Sequence, residues 1–103
     1  MKPIIIISTY PNKNSITKIA NVLVKNKIVA CVNITKILSI YSWQGKIKNT
    51  SEYIALFKTT QKNKKVLKEK IKVTHPYKVP EIAEITITSI NKSYLKWLVE
   101  STN

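Results

Sequence analysis

The sequence predicts an α+β domain in which one antiparallel sheet is backed by two helices. Three observations lead there. Ile4-Ile5-Ile6-Ile7 is an apolar run without alternation, which suits an inner strand covered on both faces. Two separated stretches, 16–24 and 66–74, repeat apolar residues at helical spacing. Between and after them, 28–59 and 83–88 carry the β-branched, alternating pattern of strands. The order is strand, helix, strand, strand, helix, strand and a last short helix, a split βαβ or ferredoxin-like sandwich with an added C-terminal helix. At 103 residues the chain is one domain, 1–103, with room for a single core.

Taken in order, Tyr10-Pro11-Asn12 breaks the first strand, and Asn12 or Asn14 can cap the helix that follows. Ile16, Ile19, Ala20, Leu23 and Val24 form its apolar stripe to about Lys25, and Asn26-Lys27 ends it. From Ile28 to Trp43 the pattern is strand, with Ala30, Val32, Ile34, Leu38 and Ile40 sharing parity. That length predicts a bend or bulge near Thr35-Lys36 and a reach toward a neighbouring subunit. Gly45, the only glycine, should support a bulge or sharp twist ahead of a polar turn at Lys48-Asn49-Thr50-Ser51. Glu52 to Thr59 is the returning strand, with Ile54 and Leu56 on one face and Tyr53, Ala55 and Phe57 on the other. Residues 62–74 make the second helix, striped by Leu67, Ile71 and Thr74 and otherwise covered by lysines. Ala83, Ile85 and Ile87 alternate with Glu84, Thr86 and Thr88 as a half-buried strand, and Ser93 is the expected cap of a helix from Tyr94 to Val99 that is too apolar to lie free. The sheet face away from the helices should carry Ile, Tyr and Phe side chains that only oligomerisation would cover.

Composition narrows the function. The formal charge is +13, yet all 18 basic residues are Lys and none is Arg. Base edges and phosphate forks are mostly Arg work, so no specific nucleic-acid binding is expected, only weak salt-sensitive adsorption. The five acids are all Glu, so an Asp-based dyad or a Ser-His-Asp relay is unavailable. Cys31 is the only cysteine, which excludes an internal disulfide and a Cys-rich zinc site. No apolar run approaches the roughly 20 residues of a membrane span and no signal-peptide pattern opens the chain, so the expected location is the cytoplasm.

His75-Pro76-Tyr77-Lys78-Val79-Pro80-Glu81 concentrates the unusual chemistry. It holds the only histidine, and its two prolines hold His75 and Val79 toward extended backbone, making a stiff linker that can aim an imidazole, a phenol and a carboxylate. His75 reads either as a metal ligand or as a structural imidazole bonded to backbone. Cys31, mid-strand between Ala30 and Val32, reads as a small packed hydrophobe before it reads as a ligand, and Tyr41 and Trp43 read as interface packing before cofactor stacking.

Five segments, Ala30-Cys31-Val32-Asn33, Ser39 to Ile47, Lys58-Thr59, His75 to Glu81 and Tyr94-Leu95-Lys96-Trp97, together resemble the CutA family of divalent-cation-tolerance proteins, nearly end to end. The resemblance implies a ferredoxin-like subunit in a homotrimer similar in architecture to the PII signalling proteins. It further implies a link to copper and other divalent-metal tolerance, and to metal binding. By position, His75 resembles the motif histidine proposed as a metal ligand, with Glu81 and Cys31 as helpers. Tyr41, Trp43, Tyr77, Pro80 and Glu81 match residues around the cleft between subunits. Ser8 and Thr74 depart from relatives that carry Cys and His there, which removes a soft ligand and an imidazole and argues against tight copper binding. The expected function is non-enzymatic divalent-metal tolerance with a bound divalent metal such as Cu²⁺. The alternative is a PII-like module that takes a small anion in the cleft through Lys58 and Lys78. A protein partner is left unnamed. No catalysis is expected: the acyl-phosphate hydrolysis known on this fold needs an arginine cradle, which the chain lacks.

Overall fold

The computed structural model describes residues 1–103. Eight elements follow one another: β1 (Pro3–Tyr10), α1 (Lys13–Lys25), β2 (Cys31–Trp43), β3 (Lys46–Thr60), a 3₁₀ turn (Gln61–Asn63), α2 (Lys64–Thr74), β4 (Ala83–Thr86) and α3 (Lys92–Glu100). The sheet order is β2-β3-β1-β4, with every pairing antiparallel. This is the ferredoxin-like sandwich expected, with the polyisoleucine strand in an inner position.

Strand parity decides which face each side chain takes. Ile4, Ile6, Ser8 and Tyr10 on β1 lie opposite Thr59, Phe57, Ala55 and Tyr53 on β3, and Val32 and Ile34 on β2 continue the same rows. Ile16, Ile19 and Leu23 of α1 and Leu67 and Ile71 of α2 close over that face, forming one core with Ile4, Ile6, Tyr10 and Phe57. Each such aliphatic side chain contributes about 1.5–3 kcal/mol by leaving water. Phe57 is therefore core and not part of the outer face, and Val24, expected in the α1 stripe, is 43% exposed. The opposite face carries Ile5, Ile7, Ile54 and Leu56, all half-buried. α3 covers one end of it: Leu98 is fully buried, and Lys58, whose parity is that of Leu56, sets its ammonium 5.6 Å from the Tyr94 ring centroid.

Local chemistry explains the element ends. Asn12 caps α1, its Oδ1 accepting from the Ser15 N–H at 2.9 Å. α3 begins two residues before the expected start, with Asn91 as its N-cap residue; the Ser93 hydroxyl accepts from the Asn91 amide at 3.0 Å instead of capping the helix. The β2–β3 turn is Gln44-Gly45, at φ 51° and 77°, a two-residue connection between Trp43 and Lys46. Two left-handed residues match the right-handed twist of the flanking strands, so the polar Lys48–Ser51 segment stays in the ladder and is not the turn. No bulge interrupts β2 either: the register runs from Cys31 opposite Lys58 to Trp43 opposite Lys46 without a slip. Thirteen unbroken residues at about 3.3 Å each reach some 40 Å, close to the molecule's longest extent of 45 Å. The outer half of this hairpin runs beyond the core; Leu38, Ile40 and Ile47 are 65–71% exposed. No helix is long and apolar enough to cross a membrane.

Candidate functional site

β4 pairs with β1 only from Ile4 to Ile7, so Ser8, Thr9 and Tyr10 extend past its end. The carbonyl of Pro3 points toward β4, where it accepts from the Ile87 N–H. By the two-residue alternation of a strand, the Thr9 carbonyl points the same way with no strand there to meet it. The 75–81 linker fills this gap.

His75 is its anchor. The residue is extended, at φ −71° and ψ 135°, as a position before proline requires. Its ring stacks on Tyr10 with centroids 4.1 Å apart. Nδ1 accepts from the Tyr77 N–H at 3.0 Å, which fixes the neutral tautomer with the proton on Nε2. That proton goes to the Thr9 carbonyl at 2.8 Å, with the Ser8 hydroxyl 3.1 Å away. Burial holds the imidazole pKa below its ordinary value, against the opposing pull of the Thr9 carbonyl and the Glu52 charge. Tyr10 is fully buried beneath it; its hydroxyl has no hydrogen-bond partner in the chain, and burial pushes its pKa up to about 12.

Two residues on, Tyr77 turns to the other side of the sheet. Its hydroxyl donates to Glu52 Oε2 at 2.6 Å. Burial first, then the bond to Glu52 and its charge, raise the phenol above its ordinary range. Glu52 is only 8% exposed. Its rung opposite Ile37 places it just inside the free half of the hairpin, on the same side as Tyr41 and Trp43.

These elements enclose a cleft of about 420 Å³ lined by Thr9, Tyr41, Trp43, Glu52, Tyr77, Lys78, Val79 and Glu81. Tyr41, Trp43, Tyr77 and Glu81, expected around a cleft between subunits, together line this cleft within one chain. Pro80 lies between two lining residues and supports the linker without lining the space. Lys58 is elsewhere, over Tyr94 on α3. Cys31 stands opposite Lys58, five rungs along β3 from the Tyr53 rung of Tyr10, or about 17 Å. It is half-buried, its Sγ 3.8 Å from Asn33 Oδ1. The trio His75, Glu81 and Cys31 is thus not gathered within one chain, and no three His, Cys, Asp or Glu side chains cluster as metal ligands would. Glu52 was missed by sequence reasoning, which read it only as the first residue of a strand. The available signal was a lone acid amid lysines at a position of outward parity.

Residues 4–101 match the family described as CutA1 divalent ion tolerance protein. The chain belongs to the CutA family. The divalent-cation tolerance protein CutA of Pyrococcus horikoshii is 40% identical over 99 residues, covering 96% of this chain and 97% of the relative. The Thermus thermophilus protein of the same name is 41% identical over 99 residues, covering 95% and 96%. In structure, the divalent ion tolerance protein CutA1 from Ehrlichia chaffeensis superimposes with a TM-score of 0.94 at 33% identity, covering 100% of this chain and 98% of that one. The ferredoxin-like CutA fold and a divalent-cation tolerance role at family level follow from these likenesses.

Proposed function

We propose that this CutA chain acts as a cytoplasmic homotrimer that binds divalent metal, copper included, in the cleft between the β2–β3 hairpin and the 75–81 linker, without catalysis. The observation that carries the reading is the pair Glu52 and Glu81 on one cleft in a chain with only five acids. Carboxylate oxygens are hard donors that suit divalent cations, and two of them leave the remaining positions to water or to donors of a neighbouring copy. Glu81 stays in the ligand set. His75 would have to give up the Tyr77 N–H to coordinate, so its part is to fix the linker. Cys31 could join only from another copy. The homotrimer is supported by the half-buried Ile5, Ile7, Ile54 and Leu56 and by the uncovered hairpin. A small-anion module would have Lys78 alone at the cleft, facing two carboxylates.

Calorimetric titration of the protein, Glu81→Gln and His75→Ala with Cu(II) and Zn(II), alongside light scattering, tests this. A saturable isotherm lost in Glu81→Gln and weakened but not abolished in His75→Ala supports the carboxylate site, with His75 positioning the linker. Heat indifferent to Glu81 overturns it, and a monomer at micromolar concentration overturns the homotrimer.

A further inference from the structure

The cleft inverts the charge balance of the chain around it. Across the sequence 18 Lys face five Glu, but among the residues lining the cleft Glu52 and Glu81 outnumber Lys78, with Lys46 and Lys48 outside the lining on the rungs of Trp43 and Tyr41. Neither cleft carboxylate takes part in an ion pair: Lys64 and Lys68 go to Glu84, and Lys96 goes to Glu100. Glu52 is the more telling of the two. It is more than nine-tenths buried, its single partner in the chain is the Tyr77 hydroxyl on Oε2, and Oε1 is left for whatever enters. That oxygen is not closed off from solvent, so it opens on the cleft as a carboxylate acceptor with no counter-charge paired to it in the chain.

The walls say which kind of cation. Tyr41, Trp43 and Tyr77 give three aromatic side chains in one space, Tyr41 and Trp43 standing on the hairpin where the proposed homotrimer would bring a neighbouring copy. Aromatic faces attract ammonium groups and shelter their alkyl substituents, whereas a hydrated metal ion gains little from them. A volume of about 420 Å³ is also more than a metal ion needs and lies within the range of small-molecule pockets. We infer that the cleft binds a small organic ammonium cation, its charge against Glu52 and Glu81 and its alkyl body along Tyr41 and Trp43. This rests on the reading of the cleft as a cation site and names a second class of cation for it.

The test titrates the full chain with choline and with putrescine at matched ionic strength, and separately with Cu(II), reading heat and tryptophan fluorescence. The variants are Glu52→Gln, Trp43→Leu and Trp43→Phe. The expected result is saturable binding of at least one amine, weakened tenfold or more by Glu52→Gln and by Trp43→Leu. Trp43→Phe, which keeps an aromatic face, should retain most of it and guards against a folding artefact in the leucine variant. Failure of both amines to saturate at millimolar concentration overturns the inference, as does amine binding that ignores Glu52→Gln. Amine binding without Cu(II) binding supports the inference and removes the metal reading; Cu(II) binding without amine binding does the reverse.

Discussion

His75 Nε2 donates to the Thr9 carbonyl across 2.8 Å, at the rung β4 would have supplied had it begun two residues earlier. The imidazole substitutes for a strand. It meets β1 through Nε2 and the linker through Nδ1, and one side chain thereby sets the position of Tyr77 and of everything that follows to Glu81.

Loss of that side chain is costly for a stated reason. His75→Ala orphans the Thr9 carbonyl and the Tyr77 N–H and removes the face stacked on Tyr10. The expected destabilisation is about 2 kcal/mol, read as a fall in the urea midpoint at constant slope.

Acid should act through the same ring. Burial lowers the folded imidazole pKa below 6.5, so the unfolded chain takes up the proton first as pH falls. The contribution is whole above about 6.5 and is lost as pH drops through the folded value. Melting temperature should therefore decline from pH 7 toward pH 5 in the natural chain and decline less in His75→Gln. Equal slopes in the two proteins would show that His75 is not the responsible group. The Glu84 carboxyl, lowered chiefly by its bond to Lys68, adds a separate loss at more acid pH.

The bond between Tyr77 and Glu52 gives a third expectation. Tyr77→Phe leaves a buried carboxylate without its donor and should cost about 1.5–3 kcal/mol, the range for hydrogen bonds to charged groups. Combining it with Glu52→Gln should recover part of that loss. A double-mutant cycle with no coupling would mean that the 2.6 Å contact contributes nothing.

Much of this was legible in the chain. The inner strand, α1 with Asn12 as its cap, the lysine-coated α2 and the stiff linker follow from local pattern, because each depends on neighbours within a few residues. The hairpin shows where such reading fails. Lys48-Asn49-Thr50-Ser51 looks like a turn because it is polar, but the part of a strand that runs beyond the core of its own chain has no need of apolar residues. The true turn is marked by the single glycine. Glu52, Cys31 and Lys58 show a second limit: all lie on the same sheet face, yet only register reveals that Glu52 meets Tyr77 while Cys31 and Lys58 stand at the other end.

The turn itself is open to test. Gly45 has φ +77° with nothing within 4 Å of an added Cβ, so Gly45→Ala carries the left-handed penalty alone, about 1–2 kcal/mol. Gln44→Asn, which makes the Asn-Gly pair favoured in such turns, should shift the urea midpoint upward. No penalty in the alanine variant would mean that the tip rearranges.

The two outer strands of the sheet differ greatly in length. β4 offers four residues, and past its end the His75 linker lies along β1; β2 offers thirteen with a free side. Backbone amides on a free strand recruit other strands, and a sheet with two long bare margins can polymerise without end. With one margin short and the other long, two copies cannot simply continue each other's sheet margin to margin. A closed ring of three needs two different surfaces on each copy, and the long free margin of β2 supplies one of them.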